Sequence, residues 1–207
     1  MKALYRIVNA LLAASVFPVA VFVDLILFRL STTIAEGGLE ESISIKFIID
    51  VITGKEAMWY DLIMSNSSGF SWPAALNPIK GRLIACVVFF ALALIASLFI
   101  IVWSCCSNKR LPVIIASAGG LISTIVMIAC FNSAAGLFMD GTINILSVFS
   151  SGWIMSLAGK FVSVDLLSLG GFHNGFIFIF IGLLVWTGAY YLVELGDTEE
   201  EKAKARK

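Results

Sequence analysis

The sequence predicts an all-α membrane protein, a four-transmembrane-helix bundle with a small extracytoplasmic cap that contains β-strands. Three observations predict it. The 207-residue chain is 59% hydrophobic and 14% charged, with a mean hydropathy of +0.98, against about half apolar and roughly a quarter charged in a soluble domain. Its apolar residues gather into four runs, each near the roughly 20 helical residues that cross a hydrocarbon core of about 30 Å. Two of the three connections, residues 31–82 and 140–171, are long enough to require structure of their own.

The first run extends from Ile7 to Leu30, interrupted by Asn9, Pro18, Asp24 and Arg29. Lys2 and Arg6 would suit the charged start of a signal peptide. The apolar stretch exceeds the usual 7–15 residues of such a peptide, and no clear small-residue cleavage site follows, so the run is read as a span. The second run, Leu83 to Ser104, carries no charge. The third begins at Pro112, a residue suited to a first helical position, and continues to about Met139. The fourth covers Phe172 to about Leu195, where Gly196 reads as a helix stop. Residues 197–207 form a charged tail that changes from acidic to basic, as a solvated or frayed helical extension would. The link from Cys105 to Leu111 is short enough to make spans two and three an antiparallel hairpin.

Lys and Arg near the span ends set the orientation. With the N-terminus inside, Lys2, Arg6, Lys109, Arg110, Lys202, Lys204, Arg206 and Lys207 are cytoplasmic, against Arg29, Lys46, Lys55, Lys80, Arg82 and Lys160 outside. Both termini are thus expected in the cytoplasm of a cell-membrane protein. Trp103, Trp186, Tyr190 and Tyr191 would form an inner interfacial belt.

In the first outer loop, Ile43, Ile45, Phe47, Ile49 and Val51 alternate onto one face, which predicts a half-buried strand. Lys55 to Met64 reads as a short helix; Ser65–Gly69, Trp72-Pro73 and Asn77-Pro78 read as turns. In the second loop, residues 142–149 and 161–169 read as strands, the latter apolar on both faces. An interfacial or re-entrant helix over 143–158 is the alternative to an outer sheet.

Asp24 is the candidate for an intramembrane polar group, because a carboxylate at membrane depth is costly and usually faces protein or water. It would serve an ion path or, structurally, pair with Arg82 at the outer start of span two. Asn132 and Asp140 lie toward the outer end of span three, where polar groups bridge helices. Span two, and span four as far as Val193, contain no charge, which argues against a pump or coupled transporter. Ala116 with Gly120 and Gly171 with Gly175 are small-residue pairs that let helix backbones approach, within the chain by default or toward another subunit. Cys105 and Cys106 are juxtamembrane and open to acylation, or are ordinary interfacial thiols. Asn66-Ser67-Ser68 is a glycosylation sequon that matters only in a eukaryotic secretory pathway. His173, the one histidine, reads as an interfacial residue with water or backbone partners, since no ligand spacing supports a metal. The outer loops contain no cysteine and so no disulfide. Zero net charge gives no reason to expect a nucleic-acid partner. No phosphate-cradling loop, nucleophile elbow or cofactor motif occurs, so no cofactor is expected.

In layout the chain resembles the claudin-like four-pass proteins. The resemblance rests on the large first outer loop, the short Cys105–Leu111 inner turn and the smaller second loop, and it implies strands from both outer loops in one extracellular sheet. Where that family carries a Gly-Leu-Trp segment followed by two cysteines, this loop has Met58-Trp59-Tyr60 and Trp72-Pro73; no functional residue carries over. The expected function is non-enzymatic: assembly, adhesion or service as an accessory subunit, with the bilayer and another membrane protein or a second copy as partners. A channel or transporter component using Asp24, Asn132 and Asp140 is the alternative, and a membrane enzyme the third reading.

Overall fold

A computed structural model describes residues 2–32, 38–53, 74–107, 109–143 and 162–205. It is mostly helical, with a small three-stranded sheet. In chain order the elements are α1 (Lys2–Ala14), α2 (Val16–Phe22), β1 (Ile26–Thr32), β2 (Gly38–Ile43) and α3 (Ile45–Ile52). A 3-10 turn (Ala74–Ile79) then leads into α4 (Lys80–Cys106), followed by α5 (Leu111–Met139), β3 (Val162–Leu169) and α6 (Phe172–Ala205).

Four helical segments are long and apolar enough to cross a membrane: Ala3–Phe22, Leu76–Cys106, Leu111–Met139 and Phe172–Val193. Between 17% and 33% of each apolar window is buried within the chain. Leu11, Val102, Ile115, Phe178 and Val185 are each at least 60% exposed. Apolar surface on that scale requires lipid or another protein to cover it. The first segment is stepped between α1 and α2. Pro18 has no N–H to offer the Ala14 carbonyl, and the Ser15 hydroxyl turns back to the Leu12 carbonyl at 2.6 Å.

The first span is shorter than the sequence suggests. It stops at Phe22, and Ile26–Thr32 becomes β1 rather than the last turns of a helix to Leu30. Twenty residues already satisfy a bilayer's thickness. Beyond Phe22 the backbone groups are satisfied by pairing with β2 and β3 instead of by further helix.

The expected strand over Ile43–Val51 is also corrected: β2 ends at Ile43, and Ile45–Ile52 is helical. Ile48 and Ile52 break the alternation, whereas Ile45, Ile48, Ile49 and Ile52 have helical i, i+3, i+4, i+7 spacing. Ser44 stands at the N-cap position, where serine is favoured, and the Thr53 hydroxyl closes the far end on the Ile49 carbonyl at 2.8 Å. Asn77-Pro78 lies inside the 3-10 turn. Gly196 does not stop α6, which continues to Ala205; a single glycine costs a helix only about 1 kcal/mol. The expected helix at 55–64, the turns at 65–73 and all but the first residues of the strand at 142–149 lie outside the described residues, as does most of 143–158.

The chain divides into two compact units. A helical unit comprises Met1–Val19, Phe89–Ile125 and Asn174–Lys207; a sheet-bearing unit comprises Ala20–Val88 and Val126–His173. In the sheet-bearing unit the strand order is β2-β1-β3, antiparallel throughout. Arg29 of β1 faces Leu166 of β3, but Leu30 faces Val164, which makes Asp165 a bulge. The bulge explains why β3 reads as apolar on both faces. By register it gathers Val162, Val164, Leu167 and Leu169 onto the same face as Ile26, Phe28 and Leu30. By register Thr32 and, from β2, Leu39, Glu41 and Ile43 take positions on that face, while Leu27, Arg29, Ser31, Glu40, Ser42, Ser163, Leu166 and Ser168 take positions on the other. In the same unit, Ile79, Ala134 and Ile143 form a small core with Leu76, Leu83, Leu137 and Phe138.

Candidate functional site

In the sheet-bearing unit, Asp24 sits at the junction between α2 and β1, outside the helix. The Ser42 hydroxyl donates to its Oδ1 at 2.9 Å. The Asp24 backbone carbonyl accepts from Phe172 N–H at 3.4 Å, and the flanking Leu25 accepts from Gly170 N–H at 2.8 Å while donating to Ile43 at 2.7 Å. A side chain at Gly170 would overlap the Asp24 carbonyl. Glycine is therefore required there by close backbone approach. His173 Nδ1 lies 2.5 Å from the Gly170 carbonyl. A carbonyl only accepts, so Nδ1 carries the proton. This junction ties the end of α2, all three strands and the start of α6 together.

Arg82 does not pair with Asp24; its guanidinium donates to the Ser133 carbonyl at 2.7 Å, joining α4 to α5. Asn132 is exposed on α5. Asp140 is exposed just past the end of that helix, where Gly141 takes a positive φ of 73° and terminates it. Asp24, Arg82, Asn132 and Asp140 are thus separate features in this unit, not one constellation. Gly171 approaches Val23, with 3.3 Å available to a Cβ. Cys86 and Cys130 are half-buried thiols, and the Cys86 Sγ–H points to the Met127 carbonyl at 3.6 Å.

In the helical unit, polar side chains on the apolar helices are spent on packing. The Ser97 hydroxyl donates to the Ala13 carbonyl at 2.5 Å, fixing α4 against α1. Thr187 Oγ1 donates to Asn9 Oδ1 at 3.3 Å, fixing α6 against α1, and both residues are fully buried. Ser117 and Thr124 return to their own helix at Val113 and Gly120. Gly120 leaves room for the Phe180 ring, which a Cβ would overlap, and Gly175 leaves 2.7 Å between a Cβ and Val19. Both glycines of interest are therefore filled from within the chain. Ala116 is half-buried, and Gly119 faces open space.

The same unit holds a cluster that the sequence does not single out. Arg110, at the start of α5, lies 5.4 Å from the Tyr5 ring centroid and 5.5 Å from that of Tyr190. It also donates to the Tyr190 carbonyl. The Tyr190 ring meets Trp186 edge-on at 4.9 Å and Tyr5 in a tilted contact at 5.4 Å. Arg110 serves the topology reading only as a charge, and Trp186 and Tyr190 only as belt residues; nothing in their spacing reveals that they meet with Tyr5. Trp103 is used differently, its Nε1–H capping the α4–α5 turn at the Lys109 carbonyl, 3.0 Å away. Cys105 and Cys106 are exposed free thiols at the end of α4. Asn66 lies outside the described residues. No group of His, Cys, Asp and Glu able to hold a metal occurs among the described residues. Neither family models, curated proteins nor solved structures match this chain.

Proposed function

We propose that this chain is a non-enzymatic, multi-pass protein of the cell membrane that works by assembly, as an accessory subunit or adhesion component. The observation that carries the reading is the pairing of β1 with both β2 and β3. It joins the two outer connections into one platform, and Val23–Leu25 alone separate that platform from the first apolar helix. Four spans return the chain to its starting side, so both termini are cytoplasmic if the basic residues set the orientation. A sheet shared by two outer loops is also what a claudin-like arrangement implies.

The polar residues of the spans support assembly over passage. Ser97, Asn9, Thr187 and Arg82 each hold one helix to another, and Asp24 is engaged by Ser42 at the rim. A conduction path needs polar groups from several helices facing one another. The test is ion flux across vesicles containing the purified chain. Assembly predicts background flux, unchanged in Asp24→Asn. Saturable flux that collapses in Asp24→Asn would establish the channel reading instead.

A further inference from the structure

In the sheet-bearing unit the strands meet the ends of two apolar helices at one level. The first apolar segment closes at Phe22, and the fourth opens at Phe172. The Phe172 N–H reaches the Asp24 carbonyl at 3.4 Å, and the Gly170 N–H reaches the Leu25 carbonyl at 2.8 Å. On its other side, the Leu25 N–H reaches the Ile43 carbonyl at 2.7 Å. The last residue of β2 is therefore one hydrogen bond from the level at which two spans end. β1 leaves that level and β2 returns to it, since Ser31 pairs with Gly38 and Ile26 with Ile43. α3 begins two residues later, at Ile45.

The composition of α3 suits a boundary between lipid and water. Its 8 residues rise only about 12 Å, too little to cross a hydrocarbon core of about 30 Å. Lys46 and Asp50 are four residues apart and share one face, and Thr53 follows on that side; Ile45, Ile48, Ile49 and Ile52 have the spacing of another face. Lys46 and Thr53 are exposed. Ile49 is 48% exposed, and Phe22, at the end of the neighbouring span, is 68% exposed. A single exposed isoleucine is ordinary on a protein surface. Here it stands two turns of chain from the rung that marks the span ends, where lipid is the available apolar cover. A short helix with one apolar and one charged face lies in such a boundary, its apolar side about 5–10 Å into the headgroup and acyl region.

We propose that α3 is an interfacial helix, laid on the bilayer surface with Ile49 in lipid and Lys46 in water, so that the sheet is attached to the membrane beside its spans. The proposal rests on the membrane reading. The experiment places nitroxide labels at Lys46→Cys, Ile49→Cys and Val185→Cys, each in a chain whose four native cysteines are alanine, in phosphatidylcholine nanodiscs. Val185 is 67% exposed within the fourth apolar segment and reports the span itself. Collisions with molecular oxygen, which concentrates in lipid, are compared with those of a neutral nickel chelate, which stays in water. The oxygen-to-nickel ratio should be severalfold higher at Ile49 than at Lys46, and shifted toward that at Val185. A ratio at Ile49 equal to that at Lys46, with Val185 in lipid, overturns the proposal and leaves the membrane reading standing. An Ile49 label shielded from both reagents shows protein cover and overturns the lipid assignment. A Val185 label open to the nickel chelate overturns the membrane reading and the proposal with it. Wild type provides a second measurement that needs no cysteine replacement. Photolysis of a phosphatidylcholine with a diazirine in its acyl chain should tag Ile49 and spare Lys46 on peptide mapping; tagging within 172–193 without tagging of α3 overturns the proposal.

Discussion

The helical unit and the sheet-bearing unit solve the same problem, satisfying backbone and polar groups in a chain this apolar, by different means. Among the described residues of the helical unit the backbone bonds are local, and side chains such as Ser97, Asn9 and Thr187 link one helix to another. In the sheet-bearing unit the bonds are distant in sequence. Ile26 pairs with Ile43 on one side and Leu169 on the other. The first kind of order tolerates change wherever a side chain can move. The second fails where backbone meets backbone, as at Gly170 and Asp24.

This contrast can be broken at graded points. Gly170→Val should have the largest effect, about 3 kcal/mol or more, because the obstructing atoms are backbone and cannot yield. Thermal unfolding in detergent should show near-complete loss of folded yield. Gly120→Ala meets the Phe180 ring instead, and should cost roughly 1–3 kcal/mol. Pairing it with Phe180→Leu should restore part of that loss, and a double-mutant cycle showing strict additivity would contradict the contact. Ser97→Ala removes one interhelical bond and should cost only about 0.6 kcal/mol, within the range found for such bonds in membrane proteins. A comparably small effect is expected of Arg29→Glu. It places like charges opposite each other at the Arg29–Glu40 register position and should cost roughly 0.2–1 kcal/mol. A larger loss there would mean that the Arg29 face of the sheet carries more than local pairing.

The sequence discloses these units unequally. Long apolar runs depend only on composition and length, so the four spans can be located without knowing what they touch. The α4–α5 hairpin follows from its short link. The strand β1 is hidden, because Leu25–Leu30 continues an apolar run and a helix and a buried strand share that pattern. Asp24 and Arg29 are the signal that the helix has ended, and they are easily read as intramembrane charges instead. The β3 strand is legible, but its face is not until the bulge at Asp165 is known. The cluster around Arg110 is illegible for a different reason. Tyr5, Arg110 and Tyr190 lie far apart in sequence, and no local period connects them.

The central claim is that the chain acts in a complex, anchored by its spans and presenting an outer platform. It is tested most directly by the mass of the protein extracted from its native membrane in a gentle detergent, corrected for bound detergent. The account predicts a stoichiometric assembly heavier than the 22.4 kDa chain, containing a second copy or another membrane protein. A single chain at that mass, with no partner under any mild extraction, would contradict it.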